Sequence, residues 1–190
     1  MQISKLKIKS LPVVKKNFMP GRKKQHSVVF KTDWFTIDTV PYYNSGEPYY
    51  RLSCSDSVSI IAKTVDAKII LVRQYRPAVE AFTYEFPSGY VDSDESPQKA
   101  MRREFEEETG YRCRRITYMG TTKICPSRIN NMLYVFFGQG AERISGSKKD
   151  KDTELILITP DEFGMLVFKS GSVDSSSVAM FQMAQLKGYL

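Results

Sequence analysis

Glu104, Glu106, Glu107 and Glu108 crowd into five consecutive residues, and their spacing points to chemistry. On a helix at 100° per residue, Pro97, Ala100, Met101, Glu104, Phe105, Glu107 and Glu108 share one arc of about 160°. Arg102 and Glu106 fall outside it. Three carboxylates thus occupy the sector whose apolar residues should pack inward, whereas a solvated helix sets its acids opposite its apolar stripe. Withdrawing like charges from water without compensation is costly. Arg103 sits four residues before Glu107 and can pair with it, but one arginine cannot neutralise three acids. Divalent cations that prefer oxygen ligands, Mg²⁺ or Mn²⁺, fit the remaining charge.

The elements that must position these acids are legible in outline. Ser96-Pro97 reads as N-cap and first helical residue, opening a helix that runs to about Thr109 and closes at Gly110. Upstream, Ser27–Phe30 and Trp34–Val40 look extended around a turn at Thr32-Asp33, and Tyr42–Pro48 holds the turn signal Asn44-Ser45-Gly46. Val58–Lys63 and Lys68–Gln74 read as a hairpin about Val65-Asp66-Ala67, ended by Pro77, and Thr83–Phe86 as a short strand before a loop at Pro87-Ser88-Gly89. Strands resume at Arg114–Lys123, Met132–Gly138 and Leu155–Thr159, and helices at Pro160–Lys169 and Ser175–Lys187 end the pattern. The expected class is α/β (α+β), a mixed sheet sandwiched between helices.

The chain has 190 residues, 42% hydrophobic and 26% charged, which suits one domain with an appended arm and excludes a disordered chain, a collagen-like chain or a disulfide scaffold. No apolar run approaches the roughly 18–20 residues of a membrane span, and a signal peptide's apolar stretch is not evident. Cys54, Cys113 and Cys125 form no CxxC pair and read as reduced thiols, pointing to a cytoplasmic protein. Net charge is +7, yet residues 1–32 alone carry nine cations and no acid, so the remainder is at −2. With only Phe18 and Phe30 for stacking, that arm reads as a solvated hairpin rather than a nucleic-acid surface. His26, the lone histidine, lies in the arm and reads as a surface residue.

Gly89, Glu95 and the run Arg103-Glu104-Phe105-Glu106-Glu107-Glu108-Thr109-Gly110-Tyr111 resemble the Nudix box, GX5EX7REUXEEXGU, where U is bulky and apolar or aromatic. Seven fixed letters and both U positions agree, a coincidence expected on the order of once in 10⁸ starts. The resemblance implies the Nudix fold and a hydrolase that uses two or three divalent ions, Mg²⁺ or Mn²⁺. It implies that Glu104 and Glu108 are principal metal ligands, that Glu107 assists, that Arg103 orients the glutamates and that the Ser88 carbonyl also meets a metal. Gly89 and Gly110 are then structural, and Glu95 braces the loop–helix junction. In such a site the metals would offset the repulsion between carboxylates and diphosphate and lower the pKa of a bound water.

Pro126, fifteen residues beyond Tyr111, together with Leu71–Pro77 and Tyr84–Gly89, resembles the ADP-ribose and nucleotide-sugar pyrophosphatases of that family. By this resemblance Arg76 contacts the diphosphate or distal sugar, and Glu85 contacts ribose or a metal. Arg128 is a further phosphate or sugar contact, in Cys125-Pro126-Ser127-Arg128 where relatives often carry serine-proline-glycine. The general base is expected from the acidic loop at 146–153, with Asp152 aligning best and Glu154 and Asp150 behind it. Residues 1–56 are expected to form a β-rich arm that contributes to a homodimer, and residues 57–190 the hydrolase domain. The expected reaction splits ADP-ribose or a related nucleoside diphosphate sugar into a nucleoside monophosphate and a sugar phosphate, with neither membrane nor nucleic acid as partner. The rivals are a non-hydrolytic Nudix-like regulator that binds nucleotide or RNA, and an enzyme that removes the 5′ cap of RNA.

Overall fold

A computed structural model describes residues 27–41, 47–146 and 153–190. These fall into two compact units, one comprising residues up to Cys54 with Cys125–Asn130, the other Ser55–Ile124 with Asn131–Leu190.

The first unit is an antiparallel meander, β1 (Ser27–Lys31), β2 (Thr36–Pro41) and β3 (Pro48–Ser53). The turn expected at Thr32-Asp33 is present: the Thr32 N–H and hydroxyl both donate to the Phe35 carbonyl. The strand β3 starts at Pro48, where the segment expected to hold a turn ends, and that turn, Asn44-Ser45-Gly46, lies outside the described residues. Asp38 and Arg51 are direct cross-strand partners, joined at 2.8 Å. The segment 125–130 docks alongside, with the Leu52 N–H donating to the Arg128 carbonyl at 2.8 Å and the Arg128 guanidinium 4.6 Å from the Tyr49 ring centroid.

The second unit contains β4 (Ser57–Thr64), β5 (Ile69–Arg76), β6 (Ala81–Glu85), β7 (Ser88–Tyr90), α1 (Pro97–Thr109), β8 (Tyr111–Thr122), β9 (Leu133–Arg143), β10 (Thr153–Ile158), α2 (Pro160–Ser170) and α3 (Ser175–Leu186). The sheet runs β10-β5-β4-β9-β8, with β4–β9 parallel and the rest antiparallel. The two-residue period of the strands divides the core between its faces. Val58, Ile60, Ala62 and Ile70 pack with Ala100, Met101 and Phe105 of α1. Ile61, Ile69 and Leu71 pack with Phe163 of α2 and Met180 and Ala184 of α3. The expected mixed sheet between helices is what the chain builds.

After their hairpin β4 and β5 part, sharing the single register pair Lys63↔Ile69. Into the wedge come β6, on the freed edge of β5, and β7, on the freed edge of β4. The expected loop at Pro87-Ser88-Gly89 is therefore corrected to a short strand from Ser88. The Pro87 carbonyl accepts from the Ser59 hydroxyl and the Ile60 N–H, both at 3.0 Å, and this fixes the segment against β4. No described helix is long and apolar enough to cross a membrane. The three cysteines form no disulfide among the described residues, and burial pushes the Cys113 thiol up to about 12.

Candidate active site

The wedge between β4 and β5 opens a cavity of about 470 Å³ whose wall includes Ser88, Gly89, Glu104, Glu108, Arg76 and Glu85. Local sequence explains how α1 reaches it. The Ser96 side chain accepts from the Lys99 N–H, Pro97 starts the first turn, and Gly110 closes the helix at φ 71°, in the left-handed region that glycine adopts without strain. Between these caps Glu104 and Glu108, one turn apart, both face the cavity.

Glu108 is the more perturbed. Burial drives its carboxyl up to about 8, against the partial relief of the Ser88 N–H, which donates to Oε2 at 3.0 Å; the Glu104 charge pushes the same way as burial. Glu104 is also raised, first by burial, although Arg103 donates to it at 2.8 Å. Gly89 makes the room: a Cβ there would stand 2.0 Å from Glu104 Cδ.

Arg103 gathers the surrounding acids. It donates to Glu95 at 2.8 Å, to Glu104 at 2.8 Å, to Glu107 at 3.4 Å and to the Tyr90 carbonyl at 3.1 Å. These bonds, Glu95 first, hold its guanidinium charged and pull the Glu95 carboxyl below its usual range. Glu107 lies at the rim of the helical arc, and its side chain is 63% exposed, so two inward carboxylates stand where the arc predicts three. Glu106 turns outward to Arg112, at 2.7 Å.

In the same cavity wall Arg76 donates to both oxygens of Glu85, at 2.8 and 2.5 Å, and Thr83 adds a hydroxyl at 2.6 Å. Burial would raise the Glu85 carboxyl, but these bonds outweigh it and keep it ionised. Glu154 lies outside the cavity wall, paired with Arg73 at 2.9 Å and well exposed. Pro126 and Arg128 belong to the first unit. Asp152 and Asp150 lie outside the described residues, as do His26 and all of the basic arm except 27–32.

The donor set suits a hard divalent cation. Glu104 and Glu108 offer carboxylate oxygens, and Glu108 is buried with a single described protein donor and no guanidinium of its own. Among the described residues no three His, Cys, Asp or Glu side chains already converge as a cage. A divalent cation held there would draw its remaining oxygens from water and substrate.

Sequence reasoning missed Gln74, Asn131, Asp174 and Ser176, which line the same cavity. Asp174-Ser175-Ser176-Ser177 carries an N-cap signature, but nothing local announces that this cap faces the site.

A capped helix presenting paired acids to a wedge in a mixed sheet defines a hydrolase of the Nudix type. Residues 55–177 match the NUDIX domain, and the chain belongs to that family. It is 31% identical over 134 residues to the methanol dehydrogenase activator of Bacillus methanolicus. It is 28% identical over 134 residues to the ADP-ribose pyrophosphatase of Bacillus subtilis (strain 168). Each alignment covers 69% of this chain and 72% of the relative. A crystal structure of an ADP compounds hydrolase superposes with a TM-score of 0.72 over 90% of this chain and 100% of that one, at 19% identity, and shares the fold. The expected Nudix fold and the reading as a Nudix pyrophosphatase both stand.

Proposed function

We propose that the chain hydrolyses the diphosphate bond of ADP-ribose or a related nucleoside diphosphate sugar, releasing a nucleoside monophosphate and a sugar phosphate. The observation that carries this reading is the Glu104–Glu108 pair, half-buried in the wall of a cavity that the Arg76–Glu85 pair also lines. The Glu108 carboxyl, which no described guanidinium engages, thus stands where a divalent cation can clamp a diphosphate. The names of the Bacillus subtilis relative and of the matching crystal structure point to the same substrate class.

Glu104 and Glu108 would hold Mg²⁺ or Mn²⁺, two or three ions, with the Ser88 carbonyl and with Glu107 assisting. When bound, the ions supply Lewis-acid stabilisation of phosphate charge and acidify a water. Arg103 positions Glu104 through a bond braced by Glu95, and Glu85 aims Arg76 at the diphosphate or distal sugar. Arg128, with Pro126 setting its loop, adds a phosphate or sugar contact. The water's proton goes to Asp152, or else to Glu154. In support, the Thr153 hydroxyl donates to the Glu108 carbonyl, so the chain enters β10 beside the end of α1. We further propose that residues 1–56 form a dimerisation arm beside a hydrolase domain at 57–190, and that the homodimer works in the cytoplasm.

Incubation with ADP-ribose and Mg²⁺ should release AMP and ribose 5-phosphate, and EDTA should stop it. No nucleoside monophosphate from ADP-ribose or from any nucleoside diphosphate sugar would overturn the reading.

A further inference from the structure

Two residues that line the cavity each carry an acceptor oxygen that the reaction as proposed leaves unused. Asn131 is only 5% exposed; its Nδ2 donates to the Ser55 carbonyl at 3.4 Å, while its buried Oδ1 meets no donor among the described residues. Asp174 caps α3 through Oδ2, which accepts from the Ser177 N–H at 3.2 Å, while its buried Oδ1 likewise meets no described donor. Buried acceptors are almost always satisfied, so two exceptions lining one cavity mark places where a ligand supplies the donor.

The sheet brings them to the cavity from different strands. Asn131 precedes Leu133 of β9, which pairs with Ser57 of β4. Asp174 follows Val173, which bridges Tyr84 of β6. Between β4 and β6 runs β7, whose Ser88 and Gly89 touch Glu108 and Glu104. Each free oxygen shares its end of the wall with groups that both donate and accept, Ser57 on one side and Gln74 and Ser176 on the other. That mixture suits hydroxyls, which do both.

We propose that Asn131 Oδ1 and Asp174 Oδ1 are specificity-determining acceptors, each taking a hydroxyl hydrogen from one of the two sugars that flank the substrate's diphosphate. The identity of that substrate rests on the pyrophosphatase reading; the two acceptors do not.

The test is calorimetric binding to the full chain in Mg²⁺, with ADP-ribose and with the P²-methyl ester of ADP, which lacks the second sugar, both as α,β-methylene analogues that cannot be hydrolysed. Asn131→Leu removes the acceptor at similar size. Asp174→Ser keeps an oxygen to cap α3 and removes Oδ1. Asp174→Ser should weaken ADP-ribose binding roughly ten- to hundredfold and Asn131→Leu about fivefold, with melting temperatures near wild type. One of the two variants, and only one, should bind the methyl ester as wild type does, because that ligand has no hydroxyl for its acceptor. Wild-type affinity for ADP-ribose in both variants, or equal losses for both ligands in both variants, would overturn the proposal. If Asn131→Leu fails to fold, Asp174→Ser and the wild-type preference for ADP-ribose over the methyl ester carry the test. Hydrolysis is scored separately with Mg²⁺. Discrimination by the variants without AMP release would keep this inference and remove the pyrophosphatase reading; AMP release with unchanged affinities would do the reverse.

Discussion

Asp38 and Glu108 are both withdrawn from solvent, and their surroundings treat them in opposite ways. Asp38 lies between β2 and β3 with Arg51 at 2.8 Å and the Ser53 hydroxyl at 2.6 Å, a carboxylate matched by its own guanidinium. Glu108 has one described N–H, from Ser88, and the acids Glu104 and Glu85 both press on it, while the guanidinium of Arg76 is engaged by Glu85. The first arrangement holds a sheet together. The second leaves a carboxyl whose ionised form the protein alone does not stabilise, which is the mark of a binding site rather than of a brace.

The largest effect that can break this contrast is on turnover. Glu108→Gln should lower kcat by about 10³-fold or more with the fold intact, and near-wild-type rates would reduce Glu108 to an ordinary buried acid. Next comes pH. The folded Glu108 carboxyl sits near 8 and an unfolded one near 4.5, so the metal-free folded state binds the extra proton between those values. Its stability is therefore greatest below about pH 4.5 as far as this group is concerned and falls as pH rises toward 8, by up to about 5 kcal/mol. Urea melts in EDTA should show this decline, and Glu108→Gln should flatten it.

Asp38→Ala should cost about 3 kcal/mol in the same melts, because it strands Arg51 rather than relieving anything. A neutral result would deny the matched pair its structural role. The smallest effect is expected at Glu107. Its exposed side chain predicts that Glu107→Gln changes kcat by less than about tenfold, measured beside Glu108→Gln at saturating Mg²⁺.

Much of this was readable before folding. Ser96-Pro97 and Gly110 bound α1 as read, and the arc of acids identified the face that matters. The arc could not say how far round the helix solvent reaches, and that is why Glu107 lies outside. It also could not show β7, because Ser88–Tyr90 has no strand pattern of its own and is held by Ser59 and Ile60 from β4. Arg76 and Glu85 were separable as candidates, but their pairing depends on the β5–β6 register. Asn131 and Asp174 were illegible for a similar reason. A hydrogen bond left unmade is a property of the packed molecule, and no local signal encodes it.

The near-contact between Gly89 and Glu104 has a consequence for how this family's members can diverge. The atoms in the way are the tip of a flexible side chain, so a methyl group at position 89 would leave the backbone undisturbed and evict the carboxylate instead. The two positions are therefore coupled in size, fifteen residues apart. In a library randomised at both, survivors should show contraction at one matched by growth at the other, with Gly89→Ala accepted best alongside Glu104→Asp.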